Sequence, residues 1–353
     1  MRIGFDTTLA RPGRLAGFER HALSLAQALA ARAPGELVLF TRSDAPDALR
    51  RLPVEQHRAP VASRVLVDQL WLPWAATRAR VDLLHTLASP TPLLWRGRSA
   101  LTVHDATLWL HPDTLSAEMR YYYGPLFPQA LGRAAAVFTV SAAAKADLTR
   151  AAGLDPAIVH VTPNGVDTRF FDARAPEGPR APYLLTVGTL EPRKNLPVLL
   201  DAFRALRKEG RDLQLVLVGR QGWGHSLPLG ELEPHVRLAG AVPDEDLPAL
   251  YAGAACFVLP SLYEGFGLPL AEAMAAGTPA VASDIPALRE VGGDAVRYAH
   301  PDDAAAFAAA VARALDDRES SRALAVAARE RAHRFTWEAC AEETLRVYRT
   351  LCP

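Results

Sequence analysis

Residues 255–277 restrict what this chain can fold into more than any other stretch. Ala255-Cys256-Phe257-Val258-Leu259 is apolar and has the length of a buried strand. Pro260-Ser261-Leu262-Tyr263-Glu264-Gly265-Phe266-Gly267 then turns, and Leu270 to Ala276 is rich in helix formers and ends at Gly277. An acid–glycine–aromatic–glycine turn therefore sits where a strand hands over to a helix. Glycines let the backbone approach a ligand closely, and the first N–H groups of a helix have no partner within it. That helix end carries roughly half a positive charge and favours anions. Glu264 and Glu272 bracket the turn, eight positions apart. Amides for phosphates and a carboxylate for sugar hydroxyls make an arrangement suited to a nucleotide sugar.

The rest of the chain repeats the same strand-then-helix alternation. Residues 2–6 read as a first strand, followed by a loop with Gly13 and Gly17 and a helix with Phe18, Ala22, Leu25, Ala26 and Leu29 at helical spacing. Further strands are expected at 36–40, 81–85, 99–103, 135–140 and 158–161, and residues 41–64 read as polar surface. Trp71 and Trp74 fall on one helical face; core packing is the expected role, and a membrane-interface contact is the alternative. Met119 to Gln129 reads as a helix broken near Gly124-Pro125, and Ser141 caps a helix that Gly153 ends. The second half restarts with strands at 183–187, 213–218, 236–238, 255–259 and 279–282 and a helical tail from Asp302, broken near Phe335-Thr336. Repeated units of this kind predict an α/β chain with two doubly wound parallel sheets. A length of 353 residues agrees with two domains. Residues 172–182, with three prolines, are the expected linker, dividing the chain into 1–172 and 173–335.

Chemistry narrows the field. A formal net charge of zero argues against a general nucleic-acid binder. Residues 1–100 nevertheless hold fourteen arginines against eight acids, a basic stretch that suits an anionic partner or is only a solvated face. Cys256, Cys340 and Cys352 give neither a disulfide framework nor a zinc spacing, which fits a reducing compartment. No window of about eighteen uninterrupted apolar residues spans a membrane, and the N-terminus shows no leader pattern, so a cytoplasmic location is expected. Arg193-Lys194 follows the first strand of the second half, where a guanidinium and an ammonium side by side suit a diphosphate. His104-Asp105 directly follows the 99–103 strand, at the carboxyl end where open α/β proteins gather ligands; a hydrogen-bonded structural histidine is the alternative. Asp244-Glu245-Asp246 superficially matches an acid–any–acid metal triplet but reads as acids at a helix N-terminus, as does Asp302-Asp303. No metal site is expected.

These residues resemble a known family. Ser261 to Glu272, Thr162-Pro163-Asn164-Gly165-Val166-Asp167, Val187 to Asn195 and Ser283-Asp284-Ile285-Pro286 are similar to the motifs of retaining glycosyltransferases with the GT-B fold, specifically glycosyltransferase family 4. Thr102-Val103-His104-Asp105 and the Gly13–Gly17 loop resemble it more loosely. The resemblance implies two Rossmann-like domains facing across a cleft, with the final helix, 336–353, returning to the N-terminal domain. It implies catalytic roles for His104, Arg193, Lys194 and Glu264, donor binding by Gly17, Gly188, Gly265, Phe266, Gly267, Leu268 and Glu272, and an acceptor-side role for Asp105. Glu264 would sit near the transferred sugar, Glu272 on the ribose hydroxyls, and Lys194 with Arg193 on the leaving diphosphate. Many relatives carry an arginine where this chain has Thr189, and Arg193 is expected to take its place. The implied activity is transfer of a sugar, mannose preferred, from a nucleoside-diphosphate sugar to a glycan or lipid-diphosphate-linked acceptor at the inner membrane face, with no cofactor and no metal. The alternatives are a nucleotide-sugar 2-epimerase and a non-catalytic nucleotide-sugar-binding protein.

Overall fold

The computed structural model describes residues 1–10, 17–60, 63–175, 177, 181–223 and 227–352. It divides into two compact units, Met1–Gly165 with Trp337–Pro353, and Val166–Thr336.

The first unit is built on a seven-stranded sheet. Its strands are β1 (Ile3–Asp6), β2 (Leu37–Arg42), β3 (Glu55–Ala59), β4 (Leu83–Leu87), β5 (Arg98–Thr102), β6 (Ala136–Thr139) and β7 (Val159–Val161), in the order β3-β2-β1-β4-β5-β6-β7 and parallel throughout. The second unit carries β8 (Tyr183–Val187), β9 (Gln214–Val218), β10 (Val236–Gly240), β11 (Cys256–Leu259), β12 (Ala280–Ser283) and β13 (Arg297–Ala299), in the order β10-β9-β8-β11-β12-β13, again all parallel. Central strands such as β1, β4 and β11 are buried along their whole length, and β11, Cys256-Phe257-Val258-Leu259, accordingly reads as a continuous apolar run rather than an alternating one. Each order reverses once, between β1 and β4 and between β8 and β11. At such a reversal the loops leaving two neighbouring strands diverge, opening a crevice at the carboxyl ends.

In the first unit the helix Gly17–Arg32 lays Ala22, Leu25, Ala26 and Leu29 on the sheet. The last helix, Trp337–Leu351, joins the same core through Trp337, Cys340, Ala341, Leu345 and Tyr348. A buried polar chain ties it down: the Tyr348 hydroxyl meets His85 Nδ1 on β4, and His85 Nε2 meets Thr102 Oγ1 on β5 at 2.7 Å. In the second unit Leu196–Lys208 and Ala304–Asp316 pack Leu199, Leu200, Phe203, Phe307 and Val311 against one face of the sheet.

Several expectations need correction. Residues 41–64 include the edge strand β3, whose Glu55-Gln56-His57-Arg58-Ala59 carries no apolar signal because it is half solvated and paired on one side only. The edge strand β13 went unread because Arg297-Tyr298-Ala299 carries no apolar run. Trp71 and Trp74 do not share the core: a π-turn at Val67–Trp71 shifts the helical register, leaving Trp71 edge-on to Phe40 at 6.1 Å and Trp74 60% exposed. The boundary between units lies at Gly165–Val166, ahead of the expected 172–182 linker, because Val166 N–H donates to Phe335 O and the helix Thr168–Phe171 belongs to the second unit. Asp303 does cap its helix, accepting from Ala306 N–H, and Ser141 caps Ala142–Ala151. Asp246 stands at the head of Leu247–Gly253 without capping it, and Asp244 is instead paired with Arg169.

Tyr348→Phe leaves the buried His85 Nδ1 without its partner. A loss of about 1–3 kcal/mol is expected, read as a lower denaturant midpoint by circular dichroism; unchanged stability would contradict the tie.

Candidate active site

The crevice between β8 and β11 in the second unit collects most of the chemistry. After β8 the chain runs through Gly188 to Lys194; after β11 it runs through Pro260 to Gly267. Leu262 N–H donates to Arg193 O at 2.9 Å, which fixes one loop on the other.

Glu264 is the hub. Its Oε1 accepts from Lys194 Nζ at 2.6 Å and from Ser261 Oγ at 2.7 Å, and its Oε2 accepts from Arg193 Nη1 at 3.1 Å. Arg193 also donates to Tyr263 O at 2.7 Å and to Glu191 Oε1 at 2.6 Å. The side chains of Glu191, Arg193, Lys194 and Glu264 are all at most 16% exposed. Two cations and two carboxylates leave this cluster formally neutral. Burial would raise the pKa of Glu264, but the Lys194 and Arg193 charges and the bonds from Lys194 and Ser261 outweigh it and hold the carboxyl at about 2. It is ionised at neutral pH.

Gly188 makes room for this cluster. Its φ is +153°, and a Cβ there would stand 3.2 Å from Lys194 Cε, so the lysine stem lies against bare backbone. Gly267, at φ +92°, heads the helix Leu268–Ala275, and a Cβ on it would press to 2.3 Å from Leu288 Cδ2. Pro269 has no N–H, and Leu270 and Ala271 already donate to Gly267 O at 2.9 and 3.2 Å. Of that first turn, Leu268 N–H is the amide left to point outward. Gly265 is buried, and Phe266 is packed edge-on to Phe335 at 5.3 Å. Glu272, 3% exposed on the same helix, accepts from the Tyr251 hydroxyl at 2.9 Å.

The structure thus joins Gly188, Arg193, Lys194, Glu264, Gly265, Phe266, Gly267 and Leu268 around one crevice, with Glu272 one turn along the helix. Arg193, expected to stand in for the arginine absent at Thr189, has its guanidinium divided among Glu191, Glu264 and Tyr263 O. His104, Asp105 and Gly17 belong to the first unit. His104 follows β5, and its buried Nε2 has no hydrogen-bond partner. Burial, and then the nearby His85, lower its pKa to about 4. Asp105 Oδ1 accepts from Thr107 N–H at 2.8 Å, a local turn. Gly17 opens its helix with open space where a Cβ would stand, and Gly13 lies outside the described residues. Sequence reasoning missed Glu191, Ser261 and Tyr251. Ser261, three residues before Glu264 in one turn, was within reach; nothing local marks Tyr251 as the partner of Glu272.

Among the described residues no three His, Cys, Asp or Glu side chains are grouped to hold a metal ion. A cavity of about 530 Å³ lies beside Pro182, Leu213, Ala255 and Pro279, ahead of β8, β9, β11 and β12. It is at the amino ends of the strands, opposite the crevice, where a doubly wound sheet does not bind its ligand.

Known proteins give the context. A family model described as glycosyl transferases group 1 matches residues 167–331, and one described as glycosyltransferase family 4 matches residues 15–170. The O-antigen chain mannosyltransferase B of Escherichia coli is 34% identical over 277 residues, spanning 72% of this chain and 71% of that protein. A phosphatidyl-myo-inositol mannosyltransferase of Mycobacterium leprae (strain TN) is 32% identical over 387 residues, spanning 99% of this chain and 97% of its own. Among solved structures, a sucrose-phosphate synthase from Thermosynechococcus elongatus superposes with a TM-score of 0.76 at 23% identity, covering 99% of both chains. That likeness is one of fold.

Glu264 yields a signed prediction. Its folded pKa of about 2 lies below its ordinary 4.5, so its stabilisation is complete above pH 4.5 and is lost as pH falls towards 2. Glu264→Gln should flatten the pH dependence of stability in that window and cost about 3–5 kcal/mol at pH 7, since two buried cations lose their counter-charge. Urea unfolding across a pH series reads both effects, and an unchanged slope would contradict the assignment.

Proposed function

The chain belongs to the family 4-like glycosyltransferases of GT-B fold, and on that premise we propose that it is a retaining mannosyltransferase. In this reading it takes mannose from a nucleoside-diphosphate mannose and passes it to a glycan or lipid-diphosphate-linked acceptor, in polysaccharide or glycolipid synthesis. The mannosyl preference is supported by the two relatives above, both named as mannosyltransferases.

Lys194 carries the proposal. Its ammonium has three hydrogens and, among the described residues, one acceptor, Glu264. It stands at the crevice where β8 and β11 part, next to the head of Leu268–Ala275. The donor's diphosphate binds there, on Lys194 Nζ and the Leu268 N–H. As the glycosidic bond breaks, negative charge gathers on the departing diphosphate, and donors already in place stabilise it without reorganising. Glu264 aims the ammonium. Three of its roughly four lone-pair sites are taken by Lys194, Ser261 and Arg193, leaving one on Oε2 for a sugar hydroxyl. Arg193 acts through Glu264, bracing it against Glu191. Glu272 accepts from the ribose hydroxyls, and His104 contacts the transferred sugar. The acceptor hydroxyl attacks from the leaving-group face, which keeps the anomeric configuration, and the leaving phosphate takes its proton. No protein base, cofactor or metal enters this scheme, because the charge that a metal would neutralise is met by Lys194 and the helix head.

A lipid-linked acceptor would bring the protein to the inner face of the membrane as a peripheral enzyme. No helix among the described residues is long and apolar enough to cross it. The support is the outer face of residues 64–80, where Val65, Leu66, Leu70 and Trp74 are 45–60% exposed and Arg78 reaches over the Trp74 ring at 6.0 Å. The single acid of that stretch, Asp68, is buried. Apolar and cationic groups make an interfacial surface, with Glu118, paired to Arg64 at 3.5 Å, as the exposed acid beside it.

Lys194→Ala should lower kcat/KM for the donor at least about 100-fold with an unchanged circular dichroism spectrum; retained activity would overturn the diphosphate assignment. Turnover should be equal in excess chelator, and a strict metal requirement would contradict the scheme. Leu70→Ser with Trp74→Ser should reduce sedimentation with vesicles containing phosphatidylglycerol while leaving turnover of a soluble acceptor intact; equal sedimentation would remove the membrane face.

A further inference from the structure

The helix Gly17–Arg32 buries an imidazole where a leucine would pack: His21 is 1% exposed. Three groups of the first unit, far apart in sequence, clamp it. Its Nδ1 lies 2.6 Å from Oδ1 of Asn164, itself 5% exposed in the Pro163-Asn164-Gly165 turn after β7. Its ring stands edge-to-face with Trp337 at 5.6 Å and 82°, and with His104 at 4.7 Å and 85°. An amide oxygen only accepts, so the His21 proton resides on Nδ1 and Nε2 is left as a bare acceptor. That Nε2 is buried without a partner, and so is Nε2 of His104. Burial, and then the nearby His104, keep the pKa of His21 down at about 3, so the ring is neutral over the working range.

Two adjacent imidazoles, each with a buried and unmet Nε2, are unfavourable for the empty fold. Aliphatic packing at position 21 would avoid this, so the ring is there for its geometry. We infer that His21 is a positioning residue: held by Asn164, it fixes the plane of the His104 ring so that the His104 Nε2 presents itself to a sugar hydroxyl in one orientation. This rests on the reading of His104 as a sugar-contacting residue. His21 itself does not touch the substrate. Its effect is on the alignment of a contact that must be right at the moment of bond breaking, so it enters kcat more than KM.

A double-mutant cycle tests it, using whichever of GDP-mannose and UDP-glucose is turned over, with release of the nucleoside diphosphate as the readout. His21→Ala should lower kcat about 10- to 100-fold with KM for the donor within about twofold. In a His104→Ala background the same substitution should change kcat by less than about twofold. His21→Phe, which keeps the edge-to-face contact and loses the bond to Asn164, should recover part of the loss, and it carries the cycle if His21→Ala does not fold. An equal loss in both backgrounds would show general damage and overturn the inference, as would an unchanged kcat in the otherwise native chain. If His104→Ala alone leaves kcat unchanged, the reading of His104 falls, and that arm identifies it as the failure.

Discussion

The contact between Lys194 and Glu264 is the interaction on which the proposed chemistry depends, and the topology of the second sheet makes it. A lysine after β8 and a glutamate after β11, seventy residues apart, meet because those strands are neighbours and the strand order reverses between them. Such a pair is expensive to desolvate, and a well-packed apolar pair would often be as stable. The chain keeps it, adds Arg193, Glu191 and Ser261, and clears space with a glycine at 188. The resulting cluster is neutral, rigid and half satisfied: the carboxylate is nearly full of donors, while the ammonium has hydrogens to spare. That asymmetry is what an incoming diphosphate needs, a cation already aimed and a counter-ion that holds its aim without competing for every donor.

The acid–glycine–aromatic–glycine turn and the Arg-Lys pair were legible because they punctuate strongly patterned strands. Periodicity located β8, β9 and β11 and the helices around them, and the glycines and charges fell at their ends. What the pattern could not give was the partnership of side chains. Arg193 and Lys194 read alike as cations for phosphate, yet Arg193 is occupied on three sides and Lys194 on one. Glu272 read as a lone tether, yet Tyr251, on the helix that follows Asp244-Glu245-Asp246, already donates to it. Two of the edge strands were the other blind spot: β3 is polar and β13, Arg297-Tyr298-Ala299, carries no apolar run, whereas the equally short edge strand β7 reads through Ile158 and its two valines. The π-turn at Val67–Trp71 likewise broke a helical-face argument that assumed an unbroken 3.6-residue period and turned Trp74 outward.

The first unit shows a different economy. Beside its buried carboxylates Asp6, Glu19 and Asp68 it holds neutral imidazoles: His21, His85 and the partly buried His104 have pKa values lowered by burial, to about 3, 3 and 4. Neutral rings can sit in a core, hold hydrogen bonds in fixed directions and accept or donate without adding charge. His85 uses both nitrogens to anchor the last helix to the sheet. His21 and His104 leave one each unmet at the carboxyl edge of β5. The second unit thus gathers paired charges at the end of its sheet, and the first gathers neutral imidazoles. The return of Trp337–Leu351 to the first unit brings Trp337 against His21, so the end of the chain supports the same constellation as its beginning.

The central claim is that Lys194, held by Glu264, receives the donor's diphosphate. Calorimetric titration of GDP and UDP against GMP and UMP, on the native chain and on Lys194→Met, tests it without relying on turnover or on the acceptor. The account predicts that the diphosphate bound by the native chain loses about 10- to 100-fold in affinity on substitution, as expected for a lost charge-assisted contact, while the matching monophosphate changes little. Equal affinity of the diphosphate for both proteins would contradict it.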